Sequence, residues 1–261
     1  MNAESALNLF AYLPFFLLIF GRLMGLLYAA PFFGSRNIPN MARIGLAFLA
    51  AFIFIPVLMP FRAEPPDIFT WVFLFLLEIL VGLAMGFVSS LLFYAIQVAG
   101  QFIDMQLGFG FANVVDPQSG IQVPVLGNYL QIIAMLIFLL INGHHWLIEA
   151  VFYSYQAVPL GGATVNGSMP EVISYLFINF FIMAIRISIP VIGAVMLADV
   201  SLGIISRTVP QMNVFMVGMP LKIIVGFFVV ALSIPLFGQI IIIGFEGVIE
   251  DVFRILGALS R

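Results

Sequence analysis

The stretch IFTWVFLFLLEILVGLAMGFVSSLL, Ile68 to Leu92, decides the fold class, because a single charge, Glu78, interrupts its apolar character. About 20 apolar residues of helix cover the hydrocarbon of a bilayer, where a backbone has to satisfy its own polar groups. A strand is usually about 4 to 8 residues long, and a half-buried one alternates with polar residues, which this stretch does not do. Five other segments have the same character: Leu7 to Phe33, Ile44 to Pro60, Val123 to Ile141, Val172 to Ala198 and Ile223 to Ile243. The expectation is an all-α integral membrane protein with six apolar spans.

Composition agrees. Of 261 residues, 63% are hydrophobic and 8% charged, against roughly 25% charge in a soluble domain. Nine Lys and Arg against twelve Asp and Glu give a net charge of -3, so no basic field exists to bind nucleic acid. Zero cysteines exclude a disulfide framework, a thiolate metal site and a cysteine nucleophile. The first apolar run has no Lys or Arg before it and is too long for a signal peptide, so it reads as retained structure.

The connectors carry punctuation. Pro31 to Pro39, Pro60 to Pro66 and Pro159 to Pro170 are rich in Pro, Gly or small polar residues, and the third reads as an exposed loop with a turn at Asn166-Gly167-Ser168. Trp71 and Trp146 sit near the edges of apolar runs, where an indole suits the headgroup level as well as a packed interface. Under six spans, one side receives Arg36, Arg43, Arg207 and Lys222 and the other Arg62, Arg254 and Arg261. That bias is too small to orient the chain, and it fits a protein positioned by partner subunits. Leu7 to Phe33 would make about 40 Å of helix against roughly 30 Å of hydrocarbon. Gly21, Gly25, Pro190 and Pro235 are candidate kinks that would absorb such excess, or places where small residues let helices pack closely.

Arg22, Glu78 and Arg186 lie inside apolar segments, where an isolated ion costs about 2.5 to 3.5 kcal/mol on insertion scales. Two readings are open: a translocation pathway or proton relay, as in a small-solute transporter, and a structural ion pair within the bundle or with another subunit, both arginines sharing Glu78. His144, His145 and Glu149 fall short of the ligand set zinc needs and read as solvated loop histidines near a carboxylate. HExxH, GxSxG, Walker A and GxGxxG patterns are all absent, so no catalytic, cofactor or metal site is expected.

Gly100 to Pro117 joins the third and fourth segments without a Lys or Arg, and Gly108, Phe109, Gly110 and Phe111 interleave aromatic rings with glycines. Bulky apolar groups on so permissive a backbone suit a constriction that blocks ions by dewetting, or a re-entrant loop that fills a cavity. Arg207 to Lys222 separates the last two apolar segments. Pro210 and Pro220 there argue against one uninterrupted helix, leaving a hairpin whose mildly basic tip includes Arg207, Pro210, Gln211 and Lys222. Phe245 to Arg261 is amphipathic and expected to lie against partners or the membrane surface.

Four blocks of this sequence resemble the FliR family, the membrane component of the bacterial flagellar type III export gate. They are Pro31-Phe32-Phe33-Gly34 through Gly45-Leu46, Gly100-Gln101-Phe102-Ile103 through Val115-Asp116-Pro117, Asn142-Gly143-His144-His145-Trp146-Leu147-Ile148, and Pro210-Gln211-Met212-Asn213 through Pro220-Leu221-Lys222. The second fits the flagellar family better than its injectisome relative, which stands as the alternative. The resemblance implies a non-enzymatic subunit of long kinked helices in hairpins, with a FliP-like region over residues 1–171 and a FliQ-like hairpin and amphipathic end over 172–261. It implies assembly with FliP and FliQ, docking of FlhB and FlhA, and passage of unfolded rod, hook and filament proteins. The location it implies is the inner membrane at the flagellar basal body. Within a plug loop at about residues 100–122, Phe109 and Phe111 match apolar plug residues of the family, and Val114 stands where some relatives have an aromatic.

Overall fold

A computed structural model describes residues 3–35, 37–58, 67–109, 124–209, 211 and 213–260. Among these the regular structure is helical: α1 (Ala3–Ala29), α2 (Asn40–Leu58), α3 (Ile68–Leu107), α4 (Val125–Leu140), α5 (Gly143–Ala157), α6 (Met169–Thr208) and α7 (Val214–Ala258). Three helices, α3, α6 and α7, are long and apolar enough to cross a membrane, or four spans result if α4 and α5, bent by 67° at their junction, act as one. Leu13–Ala29 and Asn40–Pro56 are shorter apolar helical stretches.

The long helices run past the apolar segments expected from sequence, and the reason is local. Polar residues at the end of an apolar run change a helix's surroundings without removing a backbone donor, so α3, α6 and α7 continue to 40, 40 and 45 residues. Gly100 to Leu107, expected within a loop, is the last part of α3. The amphipathic end is likewise the continuation of α7, not a separate element. Pro220, expected to help interrupt a helix, lies inside α7, and the candidate kinks Pro190 and Pro235 lie inside α6 and α7. Asn213 starts α7, its backbone and side-chain oxygens both accepting from Met216 N–H. A break without proline falls at Asn142, whose φ of 58° is the left-handed conformation that asparagine tolerates. His144 and His145 consequently open α5 and do not sit in a loop.

The chain divides into two compact units that interleave in sequence. The first comprises residues 1–91, 142–177 and 246–261, and the second 92–141 and 178–245. In the first, Phe16 of α1 meets Phe48 of α2 edge-on at 5.1 Å. Glycines set the α1–α3 crossing, for a Cβ on Gly82 would stand 2.0 Å from the Arg22 carbonyl oxygen. Residues 158–168 pack more than an exposed loop should: Val158 and Leu160 are buried. Thr164 and Asn166 donate backbone N–H groups to the Leu259 and Ala258 carbonyls, and Asn166 Nδ2 donates to Gly257 O. These donors satisfy carbonyls that a helix end otherwise leaves without partners. The end of α7 thus packs on its own chain, with Val252, Ile255 and Leu256 buried and Phe253 against Tyr153 at 6.2 Å.

In the second unit, Phe93, Phe138 and Phe245 form a mutual cluster with ring centroids 5.2 to 5.6 Å apart, joining α3, α4 and α7. The α6 and α7 segments run antiparallel there, Leu202 facing Gly218 and Met183 facing Gly244.

Candidate functional site

Two polar clusters stand out against the apolar background. In the first unit, Arg22 and Glu78 are both fully buried, and Arg22 Nε donates to Glu78 Oε2 at 2.6 Å. Arg22 Nη1 donates to Ser154 Oγ at 3.0 Å and Nη2 to the Val158 carbonyl at 2.9 Å, while the guanidinium carbon lies 4.2 Å from the centre of the Tyr155 ring. The other oxygen of Glu78 accepts from Gly161 N–H at 2.8 Å. Desolvating two ions is costly, and it is offset only when further hydrogen bonds and tight geometry complete the pair. Here α1, α3, α5 and the 158–168 segment all contribute. Within this unit both oxygens of Glu78 are taken, one by Arg22 and one by a backbone amide. Arg186 is exposed on α6 and forms no hydrogen bond or ion pair among the described residues.

The second cluster surrounds the end of α3. Gly100 lets α4 approach so closely that an added Cβ would lie 2.1 Å from Gly127 Cα. One turn further on, buried Asp104 accepts from the backbone N–H groups of Leu126 (3.1 Å) and Gly127 (3.4 Å). Pro124, at the N-cap of α4, offers no side-chain cap, so Asp104 supplies from α3 the carboxylate that free amides and the helix dipole favour. Gln106 Nε2 donates to Asp199 Oδ2 of α6 at 3.3 Å, and Asp199 also pairs with Lys222 of α7. Leu107 covers Gly226, and Phe109 meets Phe227 edge-on at 6.4 Å. Gly108 turns the chain with φ of 89°, a conformation that costs glycine little.

Of the residues singled out from sequence, the structure thus brings Arg22 to Glu78 and sets Phe109 and Lys222 around the end of α3. Arg207 and Gln211 are exposed. Gly110, Phe111, Val114 and Pro210 lie outside the described residues. Sequence reasoning passed over Asp104, Asp199, Ser154 and Gly161. For Asp104 a signal existed: α4 begins after a proline, without Ser, Thr, Asp or Asn to cap it. Among the described residues no three His, Asp or Glu side chains gather as metal ligands. The His144 and His145 rings lie 4.3 Å apart, tilted by 40°.

Comparison with known proteins places this arrangement. The family described as "Bacterial export proteins, family 1" matches residues 13–248. The chain belongs to the FliR family of bacterial export proteins. It is 40% identical to the "Flagellar biosynthetic protein FliR" of Bacillus subtilis (strain 168) over 230 residues, 86% of each chain. Against the protein of that name in Escherichia coli (strain K12) the identity is 31%, covering 90% of this chain and 88% of the relative. The "Surface presentation of antigens protein SpaR" of Shigella flexneri is 29% identical over 81% of this chain and 82% of its own. The FliR match runs through both polar clusters, since residues 13–248 include Arg22, Glu78, Asp104, Asp199 and Lys222.

Proposed function

We propose that this chain is a structural, non-enzymatic subunit of the flagellar protein export gate, held by FliP and FliQ, with FlhB and FlhA on its cytoplasmic side. Its place is the bacterial inner membrane at the basal body, and its cargo is unfolded rod, hook and filament proteins. One structural observation carries this reading. The most apolar windows of α6 and α7 are each only 28% buried by the chain itself, and Arg186 stands among the exposed Ile182, Ile185 and Ile189. So large an uncovered apolar face calls for lipid or sister helices, and an arginine at its centre calls for an acidic or carbonyl partner. The FliQ-like character of residues 172–261 would suit the α6–α7 hairpin, and the FliP-like character of 1–171 the helices before it. Gly108, Phe109, Gly110, Phe111 and Val114 would form the pore plug.

Higher identity to the Bacillus subtilis flagellar protein (40%) than to SpaR (29%) favours the flagellar system over an injectisome. The sealed Arg22–Glu78 pair favours a structural ion pair over a relay in a solute transporter.

The test is a tagged full-length chain solubilised in mild detergent from its own cells. FliP and FliQ copurify with it, and a deletion strain loses filament export until the chain is restored. Purification as a solitary particle, with export intact in the deletion strain, overturns the proposal. In the assembled gate, substituting Phe109, Phe111 and Val114 together by serine raises ion leakage, and unchanged conductance removes the plug role.

A further inference from the structure

Asp199 is the one acidic residue in the long run between Glu171 and Glu246, yet the proposed plug and the Arg22 core make no use of it. It sits where three helices meet within the second unit. Its carboxylate accepts from Gln106 at the end of α3 and pairs with Lys222 of α7. On the α7 side, Leu107 lies over Gly226 and Phe109 against Phe227, which is itself exposed. Three positions at and just past the end of α3, namely Gln106, Leu107 and Phe109, therefore bear on one hairpin.

The polar contacts in this joint are of a kind that parts readily. The side chains of Lys222 and Asp199 are 26% and 36% exposed, and ion pairs with such access to solvent contribute little net stability. The hydrogen bond from Gln106 Nε2 to Asp199 at 3.3 Å and the ring contact at 6.4 Å are long for their kinds. Leu107 is fully buried, but it rests on a glycine and interlocks with no side chain at that position.

We infer that Asp199 is a positioning residue that latches the end of α3 to the α6–α7 hairpin, and that passage of substrate requires this latch to part. The inference rests on the export-gate reading above. The latch supplies positioning only: Asp199 holds Gln106 and Lys222, and neither it nor they need touch the substrate.

The absence of native cysteine makes the test clean. A Cβ at position 226 would lie 3.2 Å from Leu107 Cγ, the atom a cysteine sulfur replaces, and a disulfide sets each Cβ about 3 Å from the opposite sulfur. The Leu107→Cys/Gly226→Cys chain also loses the Leu107 methyls that would meet the new Cβ. In cells with the complete export apparatus, oxidation forms this disulfide, export falls to the level of a strain lacking the chain, and dithiothreitol restores it. Oxidised gates that export at the reduced rate overturn the latch, as does failure of the disulfide to form. A strain that exports normally without the chain overturns the gate reading instead. Should the reduced double variant not export, Asp199→Asn carries the test in the assembled gate. It raises resting ion conductance, and unchanged conductance overturns the inference.

Discussion

The Arg22–Glu78 cluster and the Asp199–Lys222 cluster are each built on one cation and one carboxylate, and they differ in access to water. The first is sealed at 0% exposure on both sides, while the second keeps 26% and 36%. Burial raises the cost of losing a partner, because the charge left behind has no solvent to turn to. Exposure lowers that cost and makes the contact sensitive to salt. The difference separates a permanent fastening from a reversible one.

The largest expected effect breaks the sealed pair. Arg22→Met leaves Glu78 buried beside a lone amide and costs about 3 to 5 kcal/mol of stability. Arg22→Met combined with Glu78→Leu recovers most of it, as read by denaturant titration of the solubilised protein. A double variant as unstable as the single one would show that the charges themselves, and not an orphaned partner, hold the core. Next comes Gly82→Ala, which drives a methyl into the Arg22 carbonyl and costs about 1 to 3 kcal/mol by overpacking. Protection of the Arg22 helix in hydrogen exchange reads that displacement. Asp104→Ala removes the cap of α4 and costs about 1 kcal/mol, with faster exchange at the Leu126 and Gly127 amides as its signature. Smallest is Lys222→Met, at no more than about 1 kcal/mol. The deficit should shrink as salt rises, and a loss as large as that of Arg22→Met would erase the contrast between the two clusters.

How much of this was legible in the sequence depended on whether a residue's need was visible without its neighbours. Arg22 and Glu78 stood out because a charge in an apolar helix demands a counterpart. Their other partners, Ser154 Oγ, the Val158 carbonyl and Gly161 N–H, are groups of a kind found throughout the chain, so nothing in the string marked them. The all-helical class followed from apolar runs too long for strands. The helix lengths did not follow, because hydropathy reports the surroundings of a helix while its length depends on backbone donors. α7 illustrates this, passing through two prolines and an amphipathic end without stopping. Asp104 was passed over because α4 borrows its cap from a residue 22 positions earlier, too far along the chain for a local pattern to show. Arg186 posed the same demand as Arg22, and the described residues leave it unanswered.

The interleaving of the two units carries a consequence for biosynthesis. Residues 246–260 complete the unit that residues 3–91 begin, so during translation the earliest helices wait for a closing piece made after everything in the other unit. Until Leu259 and Ala258 reach the amides of Thr164 and Asn166, the 158–168 segment, which holds Arg22 and Glu78, lacks part of its final surroundings. A chaperone or sister subunit bridging that interval would find there a nascent chain already committed at one end and unfastened at the other.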